Sequence, residues 1–326
     1  MLIDEHNRVH DYLRISLTDH CNLRCFYCMP EEDYAFMPNQ QLMQTNELIA
    51  LAKIFVDQGV KKIRLTGGEP LVRKDAAAII QALGNLGVQL TMTTNATRIH
   101  LFIDVLKSAG IRSINISLDT LQREKFYMLT RRDQFDQVRS NIDLLLQHQF
   151  NVKINMVVVK GMNDHEILDF IAWTKTQPIQ IRFIEFMPFD GNQWVSNKLV
   201  TLQEMLQMIS GAYAISAGAP EPNDTSKPYR IDGHLGSFAV ISTMSAPFCS
   251  TCNRIRLTAD GKIKNCLFSS SETDLLTPMR NGLEILPLIK ASIASKHKAL
   301  GGQFSNDFEK INANELHNRS MIAIGG

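Results

Sequence analysis

Through the first two-thirds of the chain, short runs of alternating apolar and polar residues are separated by longer stretches with apolar positions three and four apart. A period of two is the signature of a strand, and spacing of three to four that of a helix. Strands are predicted at 12–18 (YLRISLT), 62–66 (KIRLT), 90–95 (LTMTTN), 112–118 (RSINISL), 152–158 (VKINMVV) and 181–186 (IRFIEF). Between them lie helical patterns such as 135–149, where Phe135, Val138, Ile142 and Leu145 recur at helix spacing. Repeated strand–helix units imply parallel strands with crossover helices.

Strand parity carries more information. Leu13, Ile15 and Leu17 alternate with Arg14, Ser16 and Thr18, and Ile63 and Leu65 with Arg64 and Thr66. Ile114, Ile116 and Leu118 alternate with Ser113, Asn115 and Ser117, and Val152, Ile154 and Met156 with Lys153 and Asn155. A sheet covered by helices on both faces would be apolar at every position. One apolar and one polar, partly cationic face instead suits a barrel with helices outside and a ligand-filled lumen. Six units are fewer than the eight of a full TIM barrel, so the expected class is α/β, a partial (β/α)6 TIM-like barrel. IRFIEF fits the parity poorly, and its facing stays open.

From 216 to 228, SAGAPEPNDTSKP reads as loop. After it come short β runs, GSFAVIST and RIRLTADGKIKNCLF, the second a hairpin turning at Asp260-Gly261, and a helical segment near 283–298. The expected division is a barrel domain over 1–220 and a smaller domain of short strands and helix over 221–326.

Composition changes this picture little. The chain has 326 residues, 44% hydrophobic and 21% charged, with 34 Lys and Arg against 33 Asp and Glu. No global field steers it to nucleic acid or membrane. The opening MLIDEHNRVHDY is too polar for a signal peptide, and no run approaches the roughly 20 apolar residues of a membrane span. A cytoplasmic protein is expected.

The six cysteines form two triplets, Cys21, Cys25 and Cys28, then Cys249, Cys252 and Cys266. Such clustering in a non-secreted chain reads as metal binding before disulfides. The first triplet follows the first strand directly, where parallel barrels place their chemistry. Its C-x3-C-x2-C spacing fits either a zinc site completed by His20 or a distant ligand, or a 4Fe–4S cluster with one iron left open.

C-x3-C-x2-C with Tyr27 before its last cysteine resembles the signature of the radical SAM superfamily. TGGEP (66–70) and NISLDT (115–120) resemble two further stretches of that superfamily. The resemblance implies that the open iron takes S-adenosylmethionine (SAM), which one electron splits to a 5′-deoxyadenosyl radical. It also implies SAM contacts at Gly68, Glu69 and Ser117.

Cys249, Cys252 and Cys266 again stop at three ligands. A zinc ribbon lacking a ligand, one site shared by both triplets, and a second open cluster all remain readings of the spacing. Arg254 and Arg256 stand two apart, on one face if the segment is a strand. With Arg14, Arg64 and Lys153 on the lumenal parity, the cations ask for a polyanion, and arginine suits phosphate. A phosphorylated heterocycle is the expected substrate.

Nearly the whole chain is similar to the GTP 3′,8-cyclase family of molybdenum cofactor (molybdopterin) biosynthesis, through YLRISLTDHCNLRCFYCMP, RLTGGEPLVR, SLDTL, TRRDQFDQV, RFIEFMP, PFCSTCNRIRLTADGKIKNCLF and the terminal GG. That similarity implies two 4Fe–4S clusters, the second binding guanine, and a radical that removes hydrogen from ribose C3′ before C3′ attacks guanine C8. It places Tyr27, Gly68, Ser117 and Met187 at SAM. Arg14, Arg64, Thr94, Lys153, Arg254, Ile255 and Arg256 are placed around GTP, with Arg182 an additional contact. Gly325 and Gly326 enter the active site and, with Arg254 and Arg256, take part in catalysis. A flavodoxin or ferredoxin as electron donor, hand-off to a cyclic pyranopterin monophosphate synthase, and a homodimer are the partners implied. His20 stands where the family usually has Arg, and Ala96 where Gly is common. The rivals are another radical SAM enzyme with an auxiliary cluster, and a zinc-stabilised binding module without catalysis.

Overall fold

The computed structural model describes residues 1–29, 34–219, 221, 223–304 and 307–325. The barrel begins with β1 (Tyr12–Ser16), α1 (Thr45–Asp57), β2 (Lys62–Thr66), α2 (Ala76–Gly84), β3 (Gln89–Thr94) and α3 (Ile103–Ser108). It continues through β4 (Ser113–Ser117), α4 (Arg123–Thr130), α5 (Phe135–Gln147), β5 (Asn151–Val158), α6 (Ile167–Trp173), β6 (Gln180–Glu185) and α7 (Leu202–Ser210). All six predicted strands form close to their predicted bounds. Beyond them come β7 (Ile215–Ala217), β8 (Lys227–Ile231), β9 (Ser237–Ile241), β10 (Arg254–Leu257), β11 (Lys262–Lys264) and β12 (Thr273–Asp274). Three helices close the chain, α8 (Leu276–Arg280), α9 (Leu286–Ala294) and α10 (Met321–Ile324).

These strands form one open sheet in the order β12-β11-β10-β1-β2-β3-β4-β5-β6-β9-β8-β7. The six-strand core is parallel, and β10 joins β1 and β9 joins β6, also in parallel. The outer pairs are antiparallel, the β10–β11 hairpin turning at Gly261 as predicted. Thus segments on either side of residue 220 share the sheet, and the predicted loop at 216–228 is narrowed by the β7–β8 pair. Local periodicity could not show this, because the partners of β1 and β6 lie far along the chain.

The alternation sorts the faces as expected. Leu13, Ile15, Ile63, Leu65, Ile114, Ile116, Val152 and Ile154 are all fully buried, in one core with Leu48, Leu51 and Phe55 of α1 and Val138, Ile142 and Leu145 of α5. Each such side chain contributes about 1.5–3 kcal/mol by leaving water. The β6 strand settles its facing too: Ile181 and Phe183 enter the core, while Gln180, Arg182 and Ile184 line the lumen. Glu185, on the apolar parity, is buried because it caps loops: it accepts from the amides of Leu202, Met244 and Ser245 at 2.7–2.9 Å. Among the described residues no helix is long and apolar enough to cross a membrane.

Two neighbours on β5 test this division. Ile154→Ala is expected to lower unfolding free energy by about 2–5 kcal/mol, and Asn155→Ala by no more than about 1 kcal/mol. Denaturant titration of both variants checks it; equal losses would contradict the assignment of faces.

Candidate functional site

The first cysteine triplet sits on the loop after β1, clamped from two sides. Arg24 N donates to Thr130 O and Phe26 N to Leu129 O at the end of α4, at 2.9 and 3.1 Å. The TGGEP turn after β2 is stitched to the start of the same loop by Gly68 N to Thr18 O (2.7 Å) and Glu69 N to His20 O (2.8 Å). A Cβ on Gly68 would lie 2.5 Å from the His20 carbonyl oxygen, so only glycine permits this approach.

Glu69 is completely buried and binds the protein itself, accepting from Thr94 Oγ1 (2.7 Å), Asn95 N (2.6 Å) and Leu71 N (3.1 Å). Burial outweighs these bonds and raises its pKa to about 7. Thr94 therefore faces Glu69, and neither lines the cavity described below. Ala96, close by, has φ of +63°, in the left-handed region that glycine enters most easily. His20 stacks on Phe36 at 4.4 Å and bonds Asp19 at 2.8 Å.

Tyr27 donates to Asp119 Oδ2 at 2.6 Å, whose other oxygen accepts from Val157 N at 2.8 Å. This locks the cysteine loop to the SLDT loop after β4, with Ser117 at the end of that strand. Burial, then Glu69, pushes Cys21 up to about 11; burial with Asp119 and the companion thiols pushes Cys25 and Cys28 higher still. The three thiols thus feel one another and are protonated without a metal, whose binding would release those protons.

Inside the sheet lies a cavity of about 500 Å³, within the range of small-molecule sites. Its walls include Arg14, Arg64, Lys153, Arg182, Arg254 and Arg256, together with Met187, Cys249, Cys252 and Cys266. The register sets the cations side by side: Arg14 pairs Arg256 on one neighbour and Arg64 on the other. Ile255 points the opposite way, into the core. Burial first, then like-charged neighbours, pulls these groups down: Arg14 well below its usual value, Arg182 to about 10 and Lys153 to about 8. Burial also brings Arg256 to about 10, with Cys266 opposing.

Several lining residues were not singled out by motif. Tyr12 accepts from Arg64 Nε, and the cations of Lys62, Arg64 and Arg254 lie 5.0–5.9 Å from its ring centre. Burial alone would raise its phenol, but Arg64 and Arg14 bring it to about 7. Asn115, Asn155 and Asn265 line the same cavity; among the described residues the buried amide oxygen of each lacks a partner, as do Arg182 Nε and Arg254 Nη1. Parity with Arg14, Lys153 and Arg182 was the signal that could have found Tyr12, Asn115 and Asn155.

The second triplet frames the cavity rim. Cys249 lies on the short turn Cys249–Thr251, Cys252 just before β10, and Cys266 just after β11. Burial and the companion thiols raise Cys249; at Cys252 burial is outweighed by Lys296 and Arg254, and the pKa falls. Cys249 feels both other thiols of its triplet, as Cys25 feels both of its own, a grouping that suits a cluster with one open iron. The tail reaches the same space: Arg256 Nη1 donates to Gly325 O at 2.7 Å, and a Cβ on Gly325 would lie 2.8 Å from Ser16 Cβ. Arg319 anchors it, bonding Asp260 twice at 2.9 Å and Glu272 at 2.6 Å. Gly326 lies outside the described residues.

Comparison with known proteins agrees with this arrangement. Residues 15–174 match the Radical SAM superfamily and 179–301 match Molybdenum Cofactor Synthesis C. The chain is 45% identical to the mitochondrial GTP 3′,8-cyclase of Arabidopsis thaliana, over all of this chain and 84% of that protein. It is 38% identical to the GTP 3′,8-cyclase of Rhodopirellula baltica, over all of this chain and 92% of that one. It spans about half the length of relatives called Molybdenum cofactor biosynthesis protein 1, 51% in the human case. The fold resembles that of Streptococcus suis SuiB bound to S-adenosylmethionine (TM-score 0.63, 17% identity, 98% of this chain and 79% of that one). The chain belongs to the radical SAM superfamily and, within it, to the GTP 3′,8-cyclase family of molybdenum cofactor biosynthesis.

Proposed function

We propose that the protein converts GTP to (8S)-3′,8-cyclo-7,8-dihydroguanosine 5′-triphosphate, the first step of molybdenum cofactor biosynthesis. The observation that carries this reading is one cavity walled by eight lysine and arginine side chains and by the three cysteines of the second triplet. A triphosphate satisfies the cations, and a nitrogen or oxygen donor on the base suits an open iron at the rim. Unpartnered donors on Arg182 and Arg254 and the amide oxygens of Asn115, Asn155 and Asn265 are free to bind the nucleotide.

In the proposed division, residues 1–220 hold SAM and the first 4Fe–4S cluster on Cys21, Cys25 and Cys28, and 221–326 supply the second cluster on Cys249, Cys252 and Cys266. Bound together, cluster and SAM supply a 5′-deoxyadenosyl radical by one-electron cleavage of the sulfonium. Tyr27, Gly68, Ser117 and Met187 are the proposed SAM contacts, with Glu69 shaping the turn that carries Gly68. Arg14, Arg64, Lys153, Arg182, Arg254 and Arg256 hold the phosphates, Ile255 offers only backbone, and Thr94 acts through Glu69. Gly325 closes the lumen beside Arg256, and Gly326 shares its proposed catalytic role. A zinc module is less well supported, because it gives no account of the polar, cationic cavity.

An electron donor such as flavodoxin or ferredoxin is the proposed reductant, and a cyclic pyranopterin monophosphate synthase the proposed recipient. A homodimer and a cytoplasmic location complete the proposal, the Arabidopsis relative being named mitochondrial.

Anaerobic reconstitution should give about eight irons per chain, and the reduced protein with SAM should convert GTP; zinc without iron would sink the reading. Release of 5′-deoxyadenosine with GTP unchanged would keep the superfamily chemistry and reject the substrate. Cys266→Ser should retain about four irons and abolish GTP turnover. Turnover at the parent rate would remove the second triplet from the substrate site. Lys153 is charged below its pKa of about 8 and loses charge above it, so GTP affinity should fall between pH 7 and 9. In Lys153→Arg calorimetry should show that fall flattened; an identical pH profile in both proteins would contradict a phosphate contact at Lys153.

A further inference from the structure

Four ionisable side chains from the N-terminal arm and the end of α9, none lining the cavity, form a buried chain ending on Cys252. Asp4 Oδ2 accepts from Arg8 Nε at 2.6 Å and lies 3.1 Å from His10 Nε2. His10 Nδ1 is 3.5 Å from Lys296 Nζ, which donates to the Arg254 carbonyl at 2.9 Å and to Cys252 Sγ at 3.6 Å. Arg8 grips the same region from another side. Its Nη1 donates to the carbonyls of Cys249 (2.8 Å) and Lys298 (2.9 Å), and its Nη2 to that of His297 (2.8 Å).

Lys296 is only 3% exposed, and a cation so placed is costly unless an anion faces it. The carboxylate of the chain, Asp4, already serves Arg8 and His10. The group that Lys296 meets besides a carbonyl and His10 is the sulfur of a cysteine. A lysine serving only to pack the arm would need no such partner.

We propose that Lys296 is a positioning residue for the second 4Fe–4S cluster: its ammonium donates to Cys252 Sγ, fixes that thiolate and makes the cluster easier to reduce. The inference rests on reading the second triplet as a 4Fe–4S site. A cation beside a ligating sulfur favours the more negative, one-electron-reduced cluster, since net charge and hydrogen bonds to sulfur set such potentials. The Asp4–Arg8 pair and His10 hold the arm against the loop beside the ammonium.

The test uses the full chain carrying Cys21→Ala, Cys25→Ala and Cys28→Ala, leaving second-triplet iron alone to be seen. It is reconstituted anaerobically, titrated with dithionite and followed by electron paramagnetic resonance. This parent should hold about four irons. Adding Lys296→Met should lower the reduced-to-oxidised ratio at fixed potential at least tenfold, 59 mV for a one-electron couple. Lys296→Arg should remain near the parent. Iron lost in Lys296→Met and kept in Lys296→Arg would also support the role. A shift below tenfold with iron retained in Lys296→Met overturns it, as does an equal shift or loss in both variants, which would mark packing alone. A parent that binds no iron rejects the cluster reading itself, and the inference with it.

Discussion

Arg256, Arg14 and Arg64 occupy neighbouring strands at matching register, about 4.8 Å from strand to strand. Guanidinium groups set in a row like this repel one another, as the lowered pKa of Arg14 beside Arg256 and Arg64 shows. The outer face of the same strands must then be wholly apolar and tightly packed, because the inner face contributes no hydrophobic burial of its own. Tyr12 eases the repulsion from within, its phenol bonded to Arg64 and its ring flanked by three cations. The Gly325 carbonyl does the same for Arg256. These internal partners let the protein fold with so many cations facing one another.

Much of this was legible in the sequence, because strand parity is a local property with a physical cause. Arg14, Arg64 and Lys153 were placed in the lumen by alternation alone, and the cavity walls contain all three. The six parallel strands were readable for the same reason. IRFIEF was not, since Glu185 sits on the apolar parity, and only the loops it caps explain a buried carboxylate there. The cysteine spacings drew attention to both loops, but spacing says nothing about what packs behind them.

What stayed hidden was non-local. That β10 would flank β1 and β9 would flank β6 cannot be read from any window of sequence. Nor could the place of Thr94, whose hydroxyl is spent on Glu69, or the salt bridge from Arg319 to Asp260 and Glu272 that aims the tail at the lumen. Asn265 falls between two cysteines in a stretch read for its metal ligands, and its unpartnered oxygen emerges only once Ser292 is seen to take its other end.

The pairing of β1 with β10 also governs the order in which the molecule can assemble. Tyr12 is made well before its neighbour Arg254, which follows only after the six central strands are complete. During that interval β1 and β6 are bare parallel edges, and bare edges recruit other chains. The lumenal face presented meanwhile is cationic, which discourages stacking of one nascent copy on another. The charges that line the lumen would in this way also protect the half-made protein from itself.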